Sequence, residues 1–279
     1  MNLVMQTFGR CVKPLFGTGV GRIPLVVPFY KWIWKNYGQK GVVKTTANGF
    51  NILIDGKDWA IVPSLYFAHV WEKDETEVFK RFVKEGMTVI DIGAHVGYFS
   101  LLASKLVGSK GEVLSLEPTP ETFNLLERNI YENGVKNITA YRYAISNKCG
   151  DSFIRLDGVS PASNTIYGNG RNIIEVKTKT LDSLTHKADF IKMDIEGGEC
   201  QALDGMIDVI QQSPNLIMLT EVYPASLERA GSSLDEYITK LERYFYILDM
   251  GLKRTNLREV KARLRKVGSL NLVCRRKNA

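Results

Sequence analysis

The sequence predicts an α/β fold: a mostly parallel sheet covered by helices on both faces, preceded by an N-terminal extension. Three observations carry that prediction. From Thr88 onward, short apolar runs alternate with longer stretches of helical period, the pattern of strands joined by crossover helices. The first of these runs ends in a glycine turn, Asp91-Ile92-Gly93-Ala94-His95-Val96-Gly97. The chain also has 279 residues, 44% hydrophobic and 24% charged, which suits a globular protein large enough to bury its own core. Disordered, collagen-like and disulfide-scaffold classes are thereby excluded.

Taken in order, residues 10–40 mix Gly, Pro, aromatics and Lys without clean periodicity. VVKTTANGFNILID then alternates around Asn48-Gly49, a strong hairpin signal. Asp74 to Lys84 is helical, with Val78, Phe79, Phe82 and Val83 on one face, and Gly86 stops it. TVIDIG is a buried strand and Tyr98 to Leu106 an apolar helix. Next come strand EVLSLE, helix ETFNLLERNIYEN and strand ITAYRYAI. Residues 151–178 read as a β-hairpin excursion, SFIRL and NIIEVKTK, around a Gly/Ser/Asn-rich tip. The remainder runs strand DFIKMD, helix ECQALDGMIDVIQQ, strand LIMLTEV, helix SLDEYITKLERYF, and strands YILDM and LNLVC. The last two are joined by a basic segment and suit an antiparallel hairpin at one edge. The expected division is a basic N-terminal extension with a β-hairpin over 1–70 and a catalytic domain over 71–279.

Charge is unevenly placed. The total is +7, yet residues 1–54 alone carry +7, because no acid precedes Asp55. Residues 253–279 carry +9, which leaves −9 on the stretch between. An acidic body with two basic ends points to chemistry in the middle and contacts at the ends. Cys11, Cys149, Cys200 and Cys274 form no pair of metal-binding spacing and read as free thiols of a reducing cytoplasm. The most apolar segment, Ile23 to Trp34, is interrupted by Pro24, Pro28 and Lys31 and is too short to span a bilayer. Neither a membrane span nor a cleavable signal is expected.

In a sheet of this kind a ligand sits beyond the carboxyl ends of the strands. Gly93 permits a tight turn, and Gly97 lets the next helix pack on the strand. A dinucleotide fingerprint would carry a glycine where Asp91 stands, because bare backbone must cradle a pyrophosphate. A carboxylate there repels phosphate and favours a cationic, phosphate-free ligand, of which S-adenosylmethionine is one. Glu117, at the end of the second strand, can accept hydrogen bonds from a ribose diol. NAD sites share that acid, so Asp91 makes the choice and disfavours an NAD oxidoreductase.

VIDIGAHVGYFS, LSLEPTPETFNLLERNI, AISNKCG, and TLDSL followed by DFIKMDIEGGE resemble the FkbM family of S-adenosylmethionine-dependent methyltransferases, over roughly residues 71–225. The most specific block is Asp194, Glu196, Gly197 and Glu199. The resemblance implies a class I methyltransferase fold: a Rossmann-like, seven-stranded, mostly parallel sheet with an antiparallel edge hairpin. It implies methyl transfer to a hydroxyl of a sugar, a glycan or glycolipid precursor, or a natural product. It also places the cofactor against Asp91, Gly93, Ala94, His95, Gly97, Glu117, Pro118, Ala144 and Ile145.

Asp194 ends the fourth strand of the main sheet and Glu221 lies near the end of the fifth, so their tips should share one crevice. Asp194, with Glu196 or Glu221, is expected to orient and deprotonate the acceptor hydroxyl. Glu199 opens a helix and can serve its free N–H groups instead, and Glu196 can equally be a turn residue. The carboxylates could converge on a divalent cation, but no metal is assigned. His95 is expected to meet the methionine carboxylate of the cofactor, His69 is a weaker candidate base, and His186 reads as loop. The expected location is the cytoplasm. The basic ends, with Phe29, Tyr30, Trp32 and Trp34, leave open a peripheral contact with anionic membrane, and nucleic acid is the less favoured partner. An RNA methyltransferase and a non-catalytic Rossmann-like binding protein stand as alternatives.

Overall fold

The computed structural model describes residues 32, 34, 36, 41–58, 61–62, 64–156 and 172–277. Most of the Ile23–Trp34 segment and the tip of the excursion hairpin lie outside the described residues. The fold begins with strands β1 (Val42–Ala47) and β2 (Phe50–Asp55), which pair antiparallel. Asn48 and Gly49 between them both have positive φ, 53° and 87°, the geometry that the Asn-Gly pair predicts.

Helix α1 (Lys73–Phe82) leads into β3 (Thr88–Ile92), α2 (Tyr98–Val107), β4 (Glu112–Leu116), α3 (Pro120–Glu132) and β5 (Ile138–Tyr141). A short strand β6 (Ala144–Ile145) and the excursion strands β7 (Gly150–Leu156) and β8 (Asn172–Lys179) follow. The chain continues through β9 (Phe190–Met193), α4 (Glu199–Asp204), α5 (Ile207–Gln212), β10 (Ile217–Val222), α6 (Pro224–Arg229), α7 (Leu234–Tyr244) and β11 (Phe245–Leu248). It closes with α8 (Leu257–Val267) and β12 (Leu270–Arg276). The main sheet has seven strands in the order β11-β12-β10-β9-β3-β4-β5, with β12 antiparallel to both neighbours. This is the α/β Rossmann-like sheet with its antiparallel hairpin at one edge.

Four local readings are corrected. ITAYRYAI is two strands: β5 stays in the main sheet, while β6 pairs with β8 in a separate three-stranded sheet. ECQALDGMIDVIQQ is two helices broken at Gly205, whose backbone lies so close to Ser146 that a Cβ would stand 2.0 Å from that carbonyl oxygen. Residues 224–229, unassigned from sequence, form α6. The basic connection before β12 folds as α8, which buries Val260 and Leu264 against the sheet; Lys261 and Arg263 pair with Asp235 and Asp249. No helix among the described residues is long and apolar enough to cross a membrane.

The sheet separates two cores. On β3, Val89 enters the core shared with α1, α2 and the N-terminal hairpin, while Ile90 and Ile92 enter the opposite core shared with α4, α5 and α7. The hairpin is tied in by Asn129, which is fully buried on α3. Its Oδ1 accepts from the Leu53 N–H at 2.7 Å, and its Nδ2 donates to the carbonyls of Leu53 and Val96 at 2.9 and 2.8 Å. One side chain thus joins the edge of β2 to the glycine turn after β3. Trp34 is buried; its indole N–H donates to the Gly56 carbonyl and its ring meets Tyr66 edge-on. Trp32 is 55% exposed.

Replacing Asn129 by Ala leaves three buried backbone groups unpaired, a loss of about 3 kcal/mol. Urea unfolding should register it, while Tyr131→Ala on the same helix, at an exposed position, should change stability by under about 0.5 kcal/mol.

Candidate active site

A cleft of about 300 Å³ opens above the carboxyl ends of β3, β4, β9 and β10, where the topology of an open α/β sheet places a ligand. Eight of the nine residues expected to meet the cofactor line it: Asp91, Gly93, Ala94, His95, Glu117, Pro118, Ala144 and Ile145. The three expected catalytic acids, Asp194, Glu196 and Glu221, line it as well. Gly97 does not. It caps α2 with φ 89°, and a Cβ there would stand 2.5 Å from Leu126, so it serves the packing of α2. His69 is exposed, its Nδ1 within 2.8 Å of the Thr46 carbonyl, and it takes no part in the cleft.

The glycine turn is held by close approach. At Gly93, φ 84°, a Cβ would lie 1.9 Å from the carbonyl oxygen of Asp194, so any side chain would push the first and fourth strand tips apart. Glu117 is buried and gripped by backbone: Oε2 accepts from the His95 N–H at 3.0 Å and Oε1 from the Thr119 N–H at 2.8 Å. Burial raises its pKa, against the pull of His95 and those N–H groups. Each oxygen still has a lone pair for a hydroxyl. The His95 ring turns toward the N-terminal segment, with Nε2 3.0 Å from Asp58 Oδ2.

The period of the strands accounts for the next layer. Asp91 and Lys192 are register partners on adjacent strands and face the α2 side together. Asp91 accepts from the Ser100 hydroxyl at 2.6 Å, and Ser115 donates to that same hydroxyl. Burial raises the Asp91 pKa, against the opposing effects of Lys192 and Ser100. Lys192 is 5% exposed, with its Nζ 3.0 Å from Asp194 Oδ2, 3.8 Å from Glu72 Oε2 and 4.6 Å from the centre of the Phe99 ring. Burial alone would lower its pKa; Asp194, Glu72 and Asp91 outweigh burial and raise it, so the ammonium stays charged.

Lys192 and Glu72 were not identified from sequence. Glu72 sits just before α1 in the left-handed region, φ 43°, and folds its carboxyl back onto Lys192. Burial pushes its pKa up to about 8, against the pull of Lys192 and with help from Asp194. Glu221 is pushed up to about 9 by burial and by Asp194, Glu196 and Glu72. At neutral pH Glu221 therefore favours its protonated form, which can donate, while Glu72 stays beside the Lys192 ammonium. Glu196, φ 53°, accepts from the Ser226 hydroxyl at 3.3 Å. Glu199 accepts from the N–H groups of Ile195 and Gly197 and so ties the turn, its pKa pushed up to about 7 by burial.

Asp194, Glu196 and Glu221 can bring one oxygen each within 4.8 Å of one another, a spacing a divalent cation could bridge. Lys192 already neutralises part of that charge. The lining also fits S-adenosylmethionine: among the described residues its cations are Lys192, shared by Asp194 and Glu72, and His95, set against Glu72, Asp91, Glu117, Asp194, Glu196 and Glu221, a balance unfavourable to a pyrophosphate. A buried acid stands at the hydroxyl-binding position, and carboxylates predominate, as a sulfonium and an ammonium require.

Comparison with known proteins follows this geometry. The family model of the methyltransferase FkbM domain matches residues 91–248, more than half of the chain. The hexuronic acid methyltransferase AglP of Haloferax volcanii is 26% identical over 182 residues, covering 62% of this chain and 73% of that protein. A protein-L-isoaspartate O-methyltransferase of Methanococcoides burtonii is 35% identical over 125 residues, covering 38% of this chain. The match spans 62% of that relative, less than two thirds of its length. Among solved structures, a SAM-dependent methyltransferase from Aquifex aeolicus aligns with 73% of this chain and 89% of its own, at TM-score 0.43 and 18% identity.

The raised pKa values of Glu72 and Glu221 have a stability consequence. In the unfolded chain both ionise near 4.5, so the folded state binds more protons between that pH and the 8 and 9 at which they ionise in place. Their contribution is present below about pH 4.5 and is lost as the pH rises toward 9. Glu221→Gln removes one titrating group, so its stability relative to wild type should grow with pH across that window. Thermal melts at a series of pH values measure it, and parallel curves would contradict the assignment.

Proposed function

The chain belongs to the FkbM family of S-adenosylmethionine-dependent methyltransferases, and on that premise we propose that it methylates a hydroxyl oxygen of a sugar or a sugar-bearing precursor. The observation that carries this reading is the placement of Asp194 beside the cofactor turn, with Lys192 fixing its carboxylate and Glu221 on the neighbouring strand tip. Asp91, Gly93, Ala94, His95, Glu117, Pro118, Ala144 and Ile145 would hold the cofactor. Sugars lead the acceptor classes because the named activity of the Haloferax relative concerns a hexuronic acid.

S-adenosylmethionine, when bound, supplies an electrophilic methyl group on a sulfonium. Transfer to a hydroxyl forms an oxygen–carbon bond, breaks a carbon–sulfur bond and frees the hydroxyl proton. The protein's work is therefore alignment and proton removal. Asp194 accepts the hydroxyl hydrogen and takes the proton as the new bond forms. Lys192, 3.0 Å from that carboxylate, fixes the direction of its oxygens. Glu221, favouring its protonated form, donates to a further oxygen of a polyhydroxylated acceptor. Trp71, on the same wall, offers an apolar face for a sugar ring.

RNA is the less favoured acceptor. The cleft itself is lined by acids, which repel a phosphate backbone.

Asp194→Asn keeps the shape and removes the base. Turnover, followed as transfer of an isotopically labelled methyl group to a panel of neutral sugars, uronates and their glycosides, should fall at least about 100-fold. Calorimetric affinity for S-adenosylhomocysteine should stay within about threefold, since Asp194 is not assigned to the cofactor. Near-normal turnover in this variant overturns the role of Asp194. A panel in which only nitrogen acceptors are methylated overturns the hydroxyl reading.

A further inference from the structure

Asp58 lies outside the family match, in the segment that follows the N-terminal hairpin, yet it reaches the cofactor turn. It is 1% exposed, and its backbone is fixed on both sides: its N–H donates to the Asp55 carbonyl, and its own carbonyl accepts from the Val62 N–H. Its Oδ2 meets His95 Nε2 at 3.0 Å. His95 is itself held in the left-handed region, φ 51°, with its backbone N–H on Glu117. His95 is therefore held through its backbone N–H by the acid expected to bind ribose, while its ring lies against the N-terminal segment. Burying a carboxylate is costly without a partner of this kind.

The geometry points to Asp58 as a positioning residue for the amino-acid end of the cofactor: it holds His95 as an imidazolium whose Nδ1–H donates to the methionine carboxylate. The inference rests on the cofactor alone and is independent of which acceptor is methylated. With Nε2 3.0 Å from the Asp58 carboxylate and its proton on that side, a neutral ring would present the Nδ1 lone pair, which repels a carboxylate. The imidazolium presents a donor instead. The charged groups facing the ring are Asp58 from the hairpin side, Glu117 from the tip of β4 and Asp194 from the tip of β9. Burial lowers the His95 pKa, and these three carboxylates more than reverse that, for a net rise. Lys192, the other cation lining the cleft among the described residues, is already shared by Asp194 and Glu72. His95 is thus left to meet a ligand's negative end.

Two ligands separate this role from general support of the fold. S-adenosylhomocysteine carries the carboxylate, whereas 5′-methylthioadenosine shares the adenosine and sulfur but lacks the amino-acid end. Both are titrated calorimetrically into the full chain between pH 6 and 9. For the wild type, the affinity for S-adenosylhomocysteine relative to methylthioadenosine should fall as the pH rises and His95 deprotonates. Asp58→Asn should weaken S-adenosylhomocysteine about tenfold at neutral pH and leave methylthioadenosine within about twofold. Asp58→Glu should recover part of the loss. Equal weakening of both ligands in Asp58→Asn, or no weakening of either, overturns the proposal. So does a pH-independent affinity ratio in the wild type, a result that requires no variant to fold.

Discussion

A single buried ammonium organises the acidic end of this sheet. Lys192 lies on a strand covered on both sides, beside Asp91 in register, and reaches Asp194 and Glu72. Without it, Asp91, Asp194, Glu196, Glu221 and Glu72 would crowd one cleft with no buried ammonium between them. One cation cannot neutralise five carboxyl groups. The remainder of the repulsion is relieved by protonation, as the raised values of Glu72 and Glu221 record. The cluster thereby combines a carboxylate held by Lys192 with neighbours that burial biases toward the protonated form, the mixture that binding and deprotonating a hydroxyl calls for.

The same ammonium connects parts of the chain that are distant in sequence. Glu72 precedes α1, so the Lys192 contact draws the segment leading into the domain over the strand tips. Asn271 on β12 donates to Glu75 on α1, which closes the same wall from the C-terminal side. Asn129 fastens the hairpin to the glycine turn from the opposite edge. Residues of the N-terminal extension thus reach the site: Ile61 lines the cleft, and Leu53 shares the Asn129 amide with the Val96 carbonyl of the turn.

Much of the fold was legible because parallel strands and amphipathic helices write strong periods. The Asn48-Gly49 hairpin, the Asp91–Gly97 turn and the acids at the tips of β9 and β10 all follow from local pattern plus topology. Lys192 carries a signal of its own in the sequence: a lysine within DFIKMD interrupts a strand that should be apolar throughout, and such a residue needs a buried partner. Glu72 gave no comparable signal, since an acid before a helix reads as a favourable charge at its N-terminus. Its left-handed backbone, which turns the carboxyl inward, is set by tertiary packing. The break at Gly205 has the same origin, because only the close approach of Ser146 distinguishes it from a tolerated mid-helix glycine. The pairing of Asp58 with His95 depends on how the loop after β2 folds back, and no local spacing encodes that.

The claim that Lys192 and Asp194 work as one unit is tested most directly by a double-mutant cycle on turnover, using Lys192→Met, Asp194→Asn and the combined variant at saturating cofactor. If the ammonium acts through the carboxylate, the two losses are strongly non-additive, and the double variant is about as slow as Asp194→Asn alone. Losses that multiply, each variant reducing turnover by the same factor whether or not the other is present, would contradict the account and leave Lys192 a packing residue.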